Sequence, residues 1–104
     1  MRVTQEDILQ YLKEIKSEFQ DKGIAHLALF GSFAKREQTV YSDIDIAIQK
    51  EKDFLNSYSS YTYFDLISQI KDKIGKKFHK NIDVFDLDSQ GSFKSTIEKE
   101  LIYV

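Results

Sequence analysis

The stretch LFGSFAKREQTVYSDIDIAIQK, Leu29 to Lys50, sets a Gly-Ser pair behind an apolar run and, ten residues later, two aspartates separated by one isoleucine at the start of a second apolar run. DIDIAIQ, Asp43 to Gln49, alternates strictly. Ile44, Ile46 and Ile48 therefore share one face of a strand, with Asp43, Asp45, Ala47 and Gln49 on the other. Upstream, IAHLALF, Ile24 to Phe30, is a compact apolar run stopped by Gly31 and reads as a buried strand. The ten residues between Ser32 and Asp43 are rather few for a crossover between parallel strands, which takes about a dozen or more. The two strands are thus expected to be antiparallel neighbours, with the exit of the first, Gly31 and Ser32, beside the entry of the second, Asp43.

That juxtaposition has a chemistry. Asp43 and Asp45 project from one face roughly 7 Å apart along the strand. Two like charges so placed repel unless a cation sits between them. Oxygen ligands in a chain without cysteine suit a hard ion, Mg2+ above all, which takes one or two carboxylates and completes its shell with phosphate oxygens and water. Gly31 lets backbone approach a ligand closely, and a short helical turn starting at SFAKRE would make Ser32 and the following N–H groups an anion cradle. A phosphate cradle beside a carboxylate pair describes a nucleoside triphosphate site.

The rest of the chain alternates helix and strand. Thr4 followed by Asp7 is a capping-box entry to a helix whose Ile8, Leu9, Leu12, Ile15 and Phe19 share a face and which Gly23 ends. Phe64, Leu66, Ile67, Ile70 and Ile74 predict a second long helix over about Thr62 to Phe78. NIDVFDL, Asn81 to Leu87, predicts a third strand, and SFKSTIEKELIYV from Ser92 a closing helix with Phe93, Ile97 and Leu101 inward. With no proline, internal repeat or low-complexity linker, residues 1–104 read as one α/β domain of alternating helices and strands.

Composition narrows the function. At 104 residues the chain is the size of one domain and leaves no room for a separate acceptor-binding domain. Apolar residues at 41% and charged residues at 31% are ordinary for a globular fold. No run approaches a membrane span and the N-terminus lacks a signal peptide's apolar block, so the expected location is cytoplasmic, with no membrane partner. The absence of cysteine excludes disulfides, thiolate metal sites and cysteine nucleophiles. A net charge of -2 argues against a grip on extended nucleic acid. His26 lies in the buried first strand and has only His79 as a possible partner, which argues against a histidine metal site. The five lysines of KDKIGKKFHK, Lys71 to Lys80, read as a solvated helix end or a partner-gripping patch. The aromatics Phe54, Tyr58, Tyr61, Tyr63 and Phe64 read as core packing or a docking surface.

The pattern of Gly-Ser, ten residues, then Asp-x-Asp, with Ser42 before the first acid and a later apolar-Asp-apolar strand, resembles the minimal nucleotidyltransferases (MNT) of the DNA polymerase beta-like superfamily, which implies an α/β (α+β) fold with a small mixed β-sheet flanked by helices. By chance its four fixed letters would arise in a chain this long with odds of roughly one in a thousand. The resemblance implies that Gly31 and Ser32 hold the triphosphate and that Asp43 and Asp45 bind Mg2+ in a two-ion site. It also implies that Asp83 of NIDVF completes the catalytic metal's shell and activates the attacking hydroxyl, with Asp86 and Asp88 as nearby rivals. Family members often read GSxARG; this chain keeps a cation at Lys35 but has Arg36 where the glycine stands. Proteins of this size and pattern look like MNT antitoxins of HEPN/MNT toxin-antitoxin pairs. The resemblance thus implies transfer of AMP from ATP to a tyrosine of a partner HEPN ribonuclease within a hetero-oligomer. The alternatives are an antitoxin that neutralises by contact alone, and a nucleotidyltransferase acting on a small molecule.

Overall fold

The computed structural model describes residues 2–89 and 92–104. Helix α1, Gln5–Asp21, begins at a reciprocal cap: the Asp7 N–H donates to Thr4 Oγ1 at 3.2 Å and the Thr4 N–H donates to the Asp7 carboxylate at 3.1 Å. Gly23 turns the chain at a φ of +101°, packed so tightly that an added Cβ would lie 2.5 Å from the Phe54 ring. There follow β1 (Ile24–Phe30), α2 (Gly31–Lys35), β2 (Ile44–Lys50), α3 (Phe54–Ser57), α4 (Ser60–Phe78), β3 (Ile82–Asp86), α5 (Ser92–Glu98) and β4 (Ile102–Tyr103).

The strands form one mixed sheet in the order β3-β2-β1-β4. β1 runs antiparallel to both β2 and β4, whereas β2 and β3 are parallel. Link length explains both arrangements: the short connection through α2 returns the chain beside itself, and the longer one through α3 and α4 suffices for a parallel crossover.

Period-two alternation divides the sheet into two unlike faces. Leu27, Leu29, Ile44, Ile46, Ile48 and Ile82 pack against Ile8, Leu12 and Phe19 of α1 and Leu66, Ile70 and Ile74 of α4, forming the main core. Ala28, Phe30, Ala47 and Leu87 form a smaller cluster with Ile97 of α5. There the Phe30, Phe85 and Phe93 rings meet edge-on with centroids 5.0 to 6.3 Å apart. Asp45 stands two residues before Ala47 and Asp83 two before Phe85, so both acids belong to this second face.

Several expectations are corrected. The closing helix ends at Glu98, and Ile102 and Tyr103 instead pair as strand with Leu29 and Ala28. Leu101 therefore lies beyond the helix, and Phe93 is half exposed although it touches Phe30 and Phe85. In α4 the inward residue is Tyr63, whereas Phe64 faces solvent. Phe54 and Tyr63 belong to the core, whereas Tyr58 and Tyr61 are exposed. His26 is exposed too, edge-on to the Tyr103 ring. Strand β2 begins at Ile44, one residue later than its alternation implied. Among the described residues no helix is long and apolar enough to cross a membrane.

Candidate active site

The end of β1, the start of β2 and the start of β3 lie in one row. Phe30 is the register partner of Asp45, and Asp45 that of Asp83. Gly31, next after Phe30, has a φ of +75°, and a Cβ built on it would fall 2.1 Å from Oδ2 of Asp45. Glycine is thus required twice over, by backbone conformation and by the carboxylate lying against it. Asp45 is half-buried, whereas Asp43 is exposed and precedes the strand, so the turn that delivers it sets its position.

That turn is braced. The Thr39 N–H donates to Ser42 Oγ at 2.8 Å and the Ser42 N–H donates to the Thr39 carbonyl at 3.1 Å. Lys80 Nζ donates to the carbonyls of Val40 and Ser42, both at 3.1 Å, while lying over the Phe33 ring. Sequence reasoning left Lys80 in a lysine-rich run. The structure gives it a defined post beneath the segment carrying Asp43.

The Gly-Ser turn is held from below by Phe33, which is fully buried. The Gln5 side chain donates to the Phe33 and Ala34 carbonyls at 3.1 and 2.8 Å, satisfying acceptors at the end of α2. Arg36 then adopts a left-handed conformation with φ of +58°, the conformation that glycine takes most readily. Its guanidinium pairs with Glu6, and that hydrogen bond holds the Glu6 carboxyl below its ordinary range. Ser32 is half-buried. Lys35 Nζ lies 3.7 Å from Glu100 and 3.9 Å from Glu37. Glu100, which sequence reasoning missed entirely, also accepts the Gly31 N–H at 3.0 Å.

The charges are crowded. Burial, followed by the neighbouring Asp83 and the negative charges of Asp43 and Glu100, pushes the Asp45 carboxyl up to about 6. Among the described residues no three His, Asp or Glu side chains are already gathered as a metal chelate. An all-oxygen set whose central member is driven toward its neutral form by burial and by adjacent carboxylates fits a hard divalent ion such as Mg2+.

The rivals Asp86 and Asp88 serve a different group. Lys50 Nζ lies 2.6 Å from Asp86 and 3.2 Å from Asp88, and the Tyr63 hydroxyl donates to Asp86. Burial pushes the Asp86 carboxyl up, but hydrogen bonds from Lys50, Tyr63 and the Asp88 N–H outweigh it and hold it below its ordinary value. Tyr63 is pushed far up by burial and by Asp86. Asp86 thus meets α4, on the opposite side of β3 from Asp83.

Comparison with known proteins places this geometry. Residues 13–104 match the family described as Polymerase beta, Nucleotidyltransferase. "Putative protein adenylyltransferase MJ1379" of Methanocaldococcus jannaschii is 35% identical over 105 residues, spanning 97% of this chain and 98% of that protein. A second protein of that organism with the same description, MJ0128, is 36% identical over 104 residues, spanning 94% of this chain and 92% of its own length. In fold, the chain is similar to one in a crystal structure of a toxin-antitoxin with AMP-PNP. The TM-score is 0.61 at 19% identity, covering 97% of this chain and 72% of that one. A chain of the toxin-antitoxin MntA-HpeT, in a mutant form, gives a TM-score of 0.57 at 16% identity, with 97% and 71% covered. Family match, whole-length relatives and sheet geometry agree: the chain belongs to the polymerase beta nucleotidyltransferase family and is a nucleotidyl-transferring enzyme.

Proposed function

We propose that this enzyme transfers AMP from ATP to a tyrosine hydroxyl of a partner toxin of the HEPN type, with Mg2+, and thereby acts as an antitoxin. The observation that carries the reading is the Asp45 carboxylate packed on Gly31 with Asp83 in register beside it. The printed names of the relatives favour a protein acceptor, and the fold likeness to toxin-antitoxin chains favours a toxin as that protein.

On this reading the Gly31 and Ser32 backbone N–H groups, with Lys35, receive the β- and γ-phosphates and orient the chain of phosphates across the sheet edge. Asp43, Asp45 and Asp83 are the residues that would hold Mg2+. Bound there, the ion supplies charge neutralisation on the transferring phosphate and alignment of the attacking oxygen. The acceptor hydroxyl oxygen forms a bond to the α-phosphorus as the bond to the bridging oxygen of the β-phosphate breaks, and pyrophosphate leaves. Asp83 takes the hydroxyl proton on its carboxylate oxygen.

The test is to incubate the protein with Mg2+, each ribonucleoside triphosphate in turn and the product of the neighbouring gene, then to weigh that product by mass spectrometry. The expected result is addition of AMP to a tyrosine, lost in Asp43→Asn, in step with loss of toxicity. A partner inhibited equally by wild type and Asp43→Asn with no change in mass would overturn the proposal in favour of neutralisation by contact.

A further inference from the structure

Glu100 sits in the turn between α5 and β4, where its own N–H donates to the Ile97 carbonyl at 3.0 Å. Its side chain is four-fifths buried, at 20% exposure. One carboxylate oxygen accepts the Gly31 N–H at 3.0 Å and the other lies 3.7 Å from Lys35 Nζ. These are two of the groups assigned above to the triphosphate. A carboxylate offers two anionic oxygens to a donor and a cation just as a phosphate edge does, so the two cannot share the same partners. Glu100 holds this place although it adds its charge to the acidic cluster around Asp45. The attraction of the Gly31 N–H and Lys35 accounts for its staying.

We infer that Glu100 is a built-in competitor for the phosphate cradle, which nucleotide must displace from the Gly31 N–H and Lys35 before it can bind. The inference rests on the reading of Gly31, Ser32 and Lys35 as the triphosphate site and deepens it by naming what that site holds beforehand. Displacement has a structural consequence, because Glu100 ties the α5–β4 turn to α2. Beyond it β4 is joined to β1 by two register pairs, Ala28 with Tyr103 and Leu29 with Ile102, and the Val104 N–H donates to the Leu27 carbonyl at 3.1 Å. Nucleotide entering the cradle therefore loosens the turn and reaches the edge of the sheet.

The experiment is calorimetric titration of Mg-ATP into the isolated protein, as wild type, Glu100→Gln and Glu100→Ala, with circular dichroism melts to verify folding. Removing the competing charge is expected to tighten binding about tenfold in Glu100→Ala and by a smaller factor in Glu100→Gln, the scale of one lost charge-assisted hydrogen bond. Wild type that binds, with folded variants that bind equally or more weakly, would overturn the competitor role while leaving the nucleotide site standing. No binding by any of the three would remove the site itself, and the inference with it. Should the variants fail to fold, wild type alone decides. On addition of Mg-ATP, the amide resonances of residues 99–102 are expected to shift together with that of Gly31, and a shift of Gly31 without them overturns the inference.

Discussion

Asp45 is an acid whose surroundings disfavour its own charge, and this has a measurable cost. Its folded pKa of about 6 lies above the 3.8 of an unperturbed side chain, so between those values the native state holds a proton that the unfolded chain has lost. Stability linked to that proton is fully present below about pH 4 and is lost as pH rises through about 6. Asp45→Asn has no such titration. In urea unfolding with divalent ions chelated, the stability of Asp45→Asn relative to wild type is therefore expected to rise by about 1 kcal/mol between pH 4.5 and 7.5, after allowance for screening by solvent. A constant difference across that range would show that burial and the neighbouring carboxylates do not raise the Asp45 carboxyl. The Gly-Ser pair and the two aspartates were legible in sequence because close packing and like-charge pairing each demand a residue type. Glu100 was not, since a lone glutamate acquires meaning only when folding brings it to a glycine 69 residues away. Lys80 was hidden by the lysines around it, whose spacing fits a solvated helix end equally well.

The strand decides which acid faces the site. Asp83 and Asp86 are three residues apart on β3 and so point to opposite faces; one shares a row with Asp45, the other meets Lys50 and Tyr63 under α4. Their substitutions should therefore separate chemistry from stability. Asp86→Ala leaves Lys50 with only Asp88 and the Tyr63 hydroxyl with no acid, a loss of about 2 kcal/mol and a fall of roughly 10 °C in Tm, while transfer persists below the new midpoint. Asp83→Ala is expected to melt near wild type and to transfer at least about a thousandfold more slowly. The reverse outcome would show that the site lies on the α4 side of the sheet. The alternation that identified β2 also fixed this facing. The last strand was illegible for a related reason: Phe93, Ile97 and Leu101 continue a helical period past Glu98, with no proline or glycine to mark the stop. What ends the helix is the free edge of β1, a partner some 70 residues earlier that no local pattern can announce.

At the scale of the molecule, the site has no existence in any one segment. Gly31, Asp45, Asp83 and Glu100 come from four parts of the chain and are neighbours only when the mixed sheet is complete. A ligand of the site therefore binds only the folded form and stabilises all of it. Mg-ATP at about a hundred times its Kd is expected to add about 2.7 kcal/mol to wild type, raising Tm by on the order of 10 °C in a melt. In Asp45→Asn most of that rise should vanish. Equal protection of both would place the ligand elsewhere. Protection of wild type alone would link the endurance of the protein to its supply of substrate. When nucleotide is scarce, a larger share of chains stands open at any moment, and a protease that cuts only open chains clears them sooner. If the nucleotide binds as proposed, occupied chains would outlast empty ones, and the lifetime of the protein would follow the supply of its substrate.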